Sequence, residues 1–253
     1  MARFDNHVVL VTGAGQGIGY ATAKAFVEEG ATVFLAGRTF SKVEKAAAEI
    51  GGKAIPLALD ISDEASWEKA IATIKEKCGR LDSVVNNAGD TDYGTSILDM
   101  TADKFDRVMK TNVYGLYYSM KHCYEIMPKG VYAGFVNIGS FAGLTVNDGS
   151  ANGCAYGPSK AAVNHMTRHA ARIYAKDCIR VNCINPGAVM SAMLDQWMAT
   201  EEGRKQVEGF NPLPPHCVQP EEIAKAIMFL CDRDAARPIT GASLSVDSGA
   251  VLL

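Results

Sequence analysis

The chain has 253 residues, 48% of them hydrophobic, with 25 Lys and Arg, 28 Asp and Glu, a formal net charge of −3 and a pI near 6.0. This balance gives no electrostatic basis for binding nucleic acid or an anionic membrane surface. The length suits one large hydrophobic core, so we expect a single domain over residues 1–253.

The seven cysteines include no CxxC pair, which indicates scattered thiols in a reducing compartment. No apolar run is long enough to span a bilayer. Regular patterning begins at residue 7, which leaves no room for a signal peptide. We therefore expect a soluble, cytoplasmic protein.

Short apolar runs alternate with helical patterns along the chain. The predicted strands span residues 8–12, 32–36, 54–59, 83–86, 134–138, 180–184 and 243–246. The predicted helices are 18–29, 41–50, one capped by Ser62, a long one within 101–127, one that contains Tyr156, and 220–231. Continuous apolar runs are typical of strands buried on both faces. The sequence therefore predicts an α/β fold with a parallel sheet covered by helices.

A glycine-rich segment, TGAGQGIG at residues 12–19, lies between the first predicted strand and the first predicted helix. Glycines there allow a tight turn and let the backbone approach a pyrophosphate, which the helix N-terminus stabilises. The context favours a nucleotide site over an ordinary turn. The residues predicted to form it are Gly13, Gln16, Gly17, Ile18 and Gly19.

The end of the second strand bears on the choice between NAD and NADP, because an acidic residue there binds the ribose hydroxyls and an arginine accommodates the 2′-phosphate. The sequence has Gly37, Arg38 and Thr39, with no carboxylate. An ordinary solvated arginine is the alternative. The missing acid and the nearby hydroxyls favour a phosphate site, although Gln16 is neutral where a second basic residue would add support. We predict NADP(H) in preference to NAD(H).

Tyr156 and Lys160 lie four residues apart in a helix-forming segment, so the phenol and the ammonium share one helix face. A neighbouring cation favours the ionised form of a phenol, whose unperturbed pKa is near ~10. This pair can therefore serve as an acid–base group. Pro158 is compatible with the first turn of a helix, which indicates that the helix begins close to Tyr156.

Residues 190–216 interrupt the alternation of strands and helices. The segment contains several large apolar residues and prolines: Met190, Met193, Trp197, Met198, Phe210, Pro212, Pro214 and Pro215. It is either a packed surface excursion or a mobile lid over the substrate. Segments of this length are usually functional, so we expect a lid.

With these residues in place, the chain resembles the compact branch of the short-chain dehydrogenase/reductase family over nearly its whole length. The matching motifs occur in the family's order: residues 12–19, Asp60, the Asn-Asn-Ala-Gly stretch 86–89, Asn112, Ser140, Tyr156, Lys160 and Pro186-Gly187. Several motifs in order are far more specific than any one of them.

This resemblance implies a three-layer Rossmann fold with a doubly wound parallel sheet of about seven strands. It also implies an NADP-dependent oxidoreductase that interconverts a ketone and a secondary alcohol by hydride transfer. Tyr156 would be the general acid or base, and Lys160 would lower its pKa and bond the nicotinamide ribose. Ser140 would hold the substrate oxygen, and Asn112 would anchor a water chain.

The same resemblance implies contacts with the rest of the cofactor. Asp60, in the segment that includes Ile61, would contact the adenine. The residues implied for the two ends of the cofactor are Asn86, Ala88 and Gly89 at the adenosine ribose and Pro186, Gly187 and Val189 at the nicotinamide. Ser140 and Tyr156 are 16 residues apart, a few more than is usual in the family, and the polar excess at residues 147–153 borders the substrate.

Other residue clusters have simpler explanations. His165 and His169 have metal-ligand spacing but lie opposite Lys160 on the helix, so solvent or a subunit interface is expected and no metal is predicted. Tyrosines on the long helix, at positions 114, 117, 118 and 124, are expected in the core and in subunit contacts. Because family members commonly pair these two helices, we expect a homotetramer, with a dimer as the alternative.

Three functions remain open. The first is an NADP-dependent ketone reductase or alcohol dehydrogenase. The second is a 3-oxoacyl-thioester reductase acting on a carrier-bound substrate, for which Lys129 and Arg172 lie roughly where that group binds its carrier. The third is a non-catalytic NADP-sensing or scaffold protein, against which the complete set of catalytic residues argues.

Overall fold

The computed structural model describes residues 2–92, 94–146 and 153–252, with the backbone alone for residues 192 and 193. Seven parallel strands form one sheet in the order β3-β2-β1-β4-β5-β6-β7. The strands are β1 (Val8–Thr12), β2 (Thr32–Gly37), β3 (Ala54–Ala58), β4 (Ser83–Asn86), β5 (Gly134–Ile138), β6 (Arg180–Pro186) and β7 (Ser243–Val246).

Helices cover both faces of this sheet. They are α1 (Gly17–Glu28), α2 (Phe40–Ile50), α3 (Glu64–Cys78), α4 (Ala102–Met109), α5 (Gly115–Ile126), α6 (Tyr156–Tyr174), α7 (Ala192–Met198), α8 (Glu201–Phe210) and α9 (Pro220–Cys231). One hydrophobic cluster is built around Trp67, Phe135 and Val163, and the other around Phe26, Val43 and Ile223. The predicted three-layer, doubly wound Rossmann fold is confirmed.

The strand order reverses at β1, which pairs with β2 on one side and β4 on the other. Ligands of open α/β sheets bind in the crevice outside the carboxyl ends of the strands at this reversal. The glycine-rich segment follows β1 directly, and the Asn-Asn-Ala-Gly stretch begins at the end of β4. The topology therefore brings these two motifs to one crevice.

The predicted long helix within residues 101–127 is a continuous rod with a π-helical turn, Lys110–Tyr114, between α4 and α5. Asn112 lies in this turn and is 4% exposed. A Cβ on Gly115, just after the turn, would lie 2.9 Å from Ile61 Cδ1. A π turn inside an α-helix frequently marks a functional site.

Two local predictions need correction. Ser62 does not cap α3, which begins at Glu64 after Asp63; its hydroxyl and amide instead donate to Asp60 Oδ1, at 2.7 and 2.9 Å. The Asp60 side chain thus forms a local turn with Ser62 ahead of α3, as short polar side chains commonly do. Residues 190–216 also contain two helices, α7 and α8, that the sequence pattern did not predict.

The segment that holds α7 and α8 is tied down at both ends. Val189 and Val218 form an isolated parallel bridge, with Met190 N donating to Val218 O at 2.9 Å and Val218 N donating to Ala188 O at 2.8 Å. Residues 147–152 of the predicted polar insertion lie outside the described residues. Within the described part of the chain, none of the helices combines the length and the apolarity needed to cross a membrane.

Candidate active site

The glycine-rich loop has the backbone that a phosphate-binding turn requires. Gly13 and Gly17 have φ of +67° and +57°, a region that side chains disfavour. A Cβ on Gly19 would lie 2.4 Å from Gly13 O, so helix and loop approach at a distance that only glycine allows. The side chain of Gln16 does not cap α1, so it leaves the first-turn amides to a ligand. The loop therefore fits a dinucleotide pyrophosphate.

Thr12 and Asn87 hold this loop to β4. Thr12 Oγ1 accepts hydrogen bonds from the amides of Asn87 and Ala88, both at 3.0 Å. Asn87 Nδ2 donates to Thr12 O at 2.9 Å and to Gly13 O at 3.3 Å. The sequence motifs contain both residues, but only the fold shows that one motif supports the other. Ala88 and Gly89 are thereby fixed at the mouth of the crevice beside Asn86.

Asp60 and Arg38 are the charged residues at the expected adenosine end of the site. They lie close enough for the charge of Arg38 to act on the Asp60 carboxylate. Burial acts to raise the pKa of Asp60, but hydrogen bonds from Ser62 and the charge of Arg38 outweigh it and hold the pKa below its usual range. Arg38 and Thr39 are both exposed. The site thus offers an ionised acceptor for an amine and an exposed guanidinium for an anion, with Ile61 next to Asp60.

Lys42 adds a second basic residue that the sequence motifs did not identify. A Cβ placed on Gly15 would lie 3.3 Å from the Cβ of Lys42, so α2 packs directly against the glycine-rich loop there. The exposed Lys42 side chain therefore starts beside the loop that would hold the phosphates. Lys42 lies four residues after Arg38, and nothing in the sequence pattern marked it as part of the site.

The helix that carries Tyr156 and Lys160 begins at Tyr156, as Pro158 indicates. Asp92, from the loop after β4, accepts hydrogen bonds from the amides of Ala155 at 3.0 Å and Tyr156 at 2.9 Å. The carboxylate is buried, and it satisfies two donors that the helix itself leaves unpaired. Asp92 thus fixes the start of α6, a function that sequence reasoning missed.

Lys160 is buried beneath the crevice. Its Nζ donates to Ile138 O at 2.8 Å and lies 5.6 Å from the centre of the Tyr156 ring. Burial lowers the pKa of Lys160 from its ordinary 10.5 to about 8. A Cβ on Gly89 would lie 3.5 Å from Nζ, which places the Asn-Asn-Ala-Gly stretch beside the ammonium.

The Asn112 side chain is fixed by three hydrogen bonds. Asn112 Oδ1 accepts from Asp90 N at 2.8 Å, while Nδ2 donates to Asp90 O and to Ser159 Oγ, both at 2.9 Å. A narrow cavity between Asn112 and Lys160, which Asn86 and Ala88 also line, has room for about one water molecule. The π turn therefore places Asn112 in the wall of a cavity that Lys160 also lines.

Ser140 follows β5 and packs against the beginning of α6. Its amide donates to Asn185 Oδ1 at 3.1 Å, and its hydroxyl oxygen accepts from Ala142 N at 3.2 Å. A Cβ on Gly143 would lie 2.5 Å from the carbonyl carbon of Lys160. The segment from Ser140 therefore lies directly on α6, and the fold gathers the predicted residues Asn112, Ser140, Tyr156 and Lys160 at one end of the crevice.

The residues predicted at the nicotinamide end lie at and just after the end of β6, whose last residue is Pro186. Gly187 is enclosed, because a Cβ there would lie 2.6 Å from Asp247 O. Val189 begins the bridge to Val218 that anchors the segment with α7 and α8. This end of the site thus borders the predicted lid.

The remaining candidates lie away from this centre. His165 and His169 are exposed, and no group of three or more possible metal ligands occurs among the described residues. Lys129 Nζ donates to Tyr124 O at 2.6 Å and lies over the Tyr124 ring, which restricts its availability to a partner. Arg172 is exposed.

The four tyrosines divide between the core and the surface. Tyr118 packs against a core cluster and Tyr124 donates to Asp177 at 2.5 Å, whereas Tyr114 and Tyr117 are 54% and 47% exposed. The exposed pair lies on the surface of the α5 region, so packing on the sheet does not account for it.

Comparison with known proteins identifies the family of the chain. A family model described as Enoyl-(Acyl carrier protein) reductase matches residues 13–251. Meso-2,3-butanediol dehydrogenase of Serratia marcescens is 36% identical, with 98% of this chain and 96% of the relative covered. The NADP-dependent (R)-specific alcohol dehydrogenase of Lentilactobacillus kefiri is also 36% identical, with 98% and 97% covered.

A solved structure of a short-chain type dehydrogenase/reductase from Mycobacterium ulcerans has 31% sequence identity and a TM-score of 0.91, covering 98% of this chain and 91% of that one. The chain belongs to the short-chain dehydrogenase/reductase family, and it is an oxidoreductase of the class that acts on CH–OH groups with a nicotinamide cofactor.

Proposed function

We propose that this short-chain dehydrogenase/reductase uses NADP(H) to interconvert a ketone and a secondary alcohol, with Tyr156 as the general acid and base. The observation that carries the proposal is the convergence of Tyr156, Lys160, Ser140 and Asn112 beside a glycine-rich loop that fits a pyrophosphate. When bound, the cofactor supplies or accepts the hydride at the carbonyl carbon.

Two hydroxyl groups act on the substrate oxygen in the direction of reduction. Tyr156 gives its phenolic proton to that oxygen, and the Ser140 hydroxyl donates a hydrogen bond to the same atom. A positioned acid of this kind contributes ~10²–10⁴-fold to the rate. The Lys160 ammonium on the same helix face stabilises the phenolate that remains.

Asn112 and Lys160 then restore the proton to the tyrosine. The cavity between them admits about one water molecule, which is a plausible size for the first member of a proton path. The three bonds to the Asn112 amide keep this wall of the cavity in place. We propose that the path begins at this water.

The choice of NADP rests on charge at the adenosine end. Arg38 is exposed where a carboxylate would favour NAD. A 2′-phosphate has nearly two negative charges, which a guanidinium favours. Relatives that include an NADP-dependent alcohol dehydrogenase support this choice.

Reduction of a carrier-bound 3-oxoacyl thioester is the second candidate, favoured by the description of the matching family model, which names an acyl-carrier substrate. The Lys129 ammonium is engaged by Tyr124, which weakens one half of the basic pair that a carrier would need. We therefore rank simple ketones first. A non-catalytic NADP sensor would have no need of a buried Lys160 beside Tyr156.

The experiment offers the purified protein NADPH or NADH with acetoin, cyclopentanone or acetoacetyl-CoA and follows absorbance of the reduced cofactor. Turnover of a ketone with NADPH supports the proposal. Faster turnover of the thioester supports the second candidate, and NADPH binding without turnover of any probe supports the sensor.

Assembly and the lid are further parts of the proposal. The exposed Tyr114 and Tyr117 lie on the α5 region that would meet a second copy in the expected homotetramer. The two helices between Val189 and Val218 would cover the substrate. Sedimentation at micromolar concentration tests the first, and a monomer there would contradict it.

A further inference from the structure

Two buried asparagines, Asn164 and Asn185, form a reciprocal amide pair behind the proposed active site. Asn164 Nδ2 donates to Asn185 Oδ1 at 2.9 Å, and Asn185 Nδ2 donates to Asn164 Oδ1 at 3.1 Å. Their exposed fractions are 3% and 0%. Because burying an unpaired amide is costly, such a pair persists only when its remaining partners are also supplied.

The remaining hydrogen bonds end on the backbone of the proposed catalytic residues. Ser140 N donates to Asn185 Oδ1 at 3.1 Å, and Asn164 Nδ2 donates to Lys160 O at 3.0 Å. Ser243 of β7 completes the set, accepting from Asn185 Nδ2 at 2.9 Å and donating to Asn164 Oδ1 at 2.5 Å. Every donor and acceptor of both amides is therefore used.

The strand that leads to Ser140 is shaped around this pair. A Cβ on Gly139 would lie 2.1 Å from Asn185 Oδ1, so no other residue fits there without movement of the backbone or of Asn185. Gly139 N also donates to Ile184 O at 2.8 Å. The backbone immediately before Ser140 is thus held against β6 at the level of the amide pair.

We propose that Asn164 and Asn185 act as one unit that sets the position of Ser140 relative to the helix carrying Tyr156 and Lys160. They contact backbone groups of Ser140 and Lys160, so they are positioning residues that act through the catalytic ones. This inference rests on the proposed function. A displacement of about 1 Å at a catalytic group can cost ~100-fold in rate, so loss of the pair should appear in kcat.

Asn182 provides a matched control on the same strand. It is also fully buried, and its amide donates to Ile239 O and accepts from Ala242 N, both at 3.0 Å, away from the catalytic residues. The variants are Asn164→Ala, Asn185→Ala, their double and Asn182→Ala. Each is assayed with NADPH and whichever of acetoin, cyclopentanone and acetoacetyl-CoA the wild type reduces fastest.

We expect kcat to fall about 10–100-fold in Asn164→Ala and in Asn185→Ala, with KM changed much less. Because the two residues act as a unit, the double variant should lose no more than the worse single. Asn182→Ala should lower the melting temperature while keeping kcat. An equal loss of kcat in Asn182→Ala, or additive losses in the double, would overturn the inference. If Asn185→Ala does not fold, Asn164→Ala against Asn182→Ala decides in the same way.

A second readout separates this inference from the proposed function. Hydrogen exchange followed by mass spectrometry reports protection of the segment containing the Ser140 amide, whether or not any probe is reduced. The expected result is faster exchange there in Asn185→Ala than in Asn182→Ala. If the wild type reduces no probe, the proposed function fails, and hydrogen exchange alone tests whether the asparagine pair positions Ser140. Equal exchange in the two variants would overturn it.

Discussion

Replacing Arg38 with leucine should weaken the proposed preference for NADPH over NADH. Arg38 is exposed at the end of β2, where its charge already reaches the carboxylate of Asp60. A charge-assisted hydrogen bond to a 2′-phosphate is worth about 1.5–3 kcal/mol, and each 1.4 kcal/mol is tenfold in affinity. We therefore expect the ratio of kcat/KM for NADPH to that for NADH to fall about 10–100-fold.

The single substitution is a cleaner test than also exchanging Gly37 for an aspartate, which would bind the ribose hydroxyls of NAD. A Cβ on Gly37 would lie 2.8 Å from Val43 Cγ1, and Val43 is only 1% exposed. Gly37→Asp would therefore disturb the packing of α2 as well as the charge. The Gly37→Asp, Arg38→Leu pair is expected to reverse the preference, but at reduced stability.

Lys45→Leu is the matched control. Lys45 is on α2, its side chain is 79% exposed, and its only ion pair among the described residues is with Glu49 at 3.8 Å. Like Arg38→Leu, Lys45→Leu removes one positive charge and adds an apolar side chain at the surface. The assay measures initial rates with both cofactors at low and moderate salt. An unchanged ratio in Arg38→Leu, or an equal fall in Lys45→Leu, would refute the assignment of Arg38 to the phosphate.

Three further changes test the catalytic helix. Tyr156→Phe should keep NADPH binding, measured by fluorescence titration, but lose ~10²–10⁴-fold in turnover; near-normal turnover would exclude the tyrosine mechanism. The buried Lys160 binds fewer protons in the folded than in the unfolded chain between pH 8 and 10.5, so its contribution to stability rises with pH through that window. Lys160→Met should remove that rise and add up to roughly 3 kcal/mol of stability near pH 7 in denaturant titrations without cofactor; a wild-type curve parallel to the variant's would contradict this. Asp92→Ala should lower the free energy of unfolding by about 1–2 kcal/mol through loss of the α6 cap, and Asp92→Asn should lower it less. If Asp92→Ala unfolded with the same free energy as the wild type, the capping role of Asp92 would be contradicted.

The sequence by itself determined the seven strands, the helices outside residues 190–216 and the order of the motifs. Most strands are short apolar runs, and most helices outside residues 190–216 have a clear period and end signals, so the bounds that these patterns give agree with the structure within about two residues. The glycine-rich turn was equally predictable, because its positive φ angles require glycine at fixed positions. These properties belong to consecutive residues.

Only the tertiary structure decided which distant groups serve the site. Asp92 lies 64 positions before the amide that it caps, and Asn164 is 21 positions from its partner Asn185. Nothing in the local pattern around either residue distinguishes it from an ordinary polar position. The pKa of Lys160 likewise depends on burial, which is set by the segments folded around it. Hydrogen bonding and desolvation act through space over a few ångströms, so they become defined only when the fold brings distant segments together.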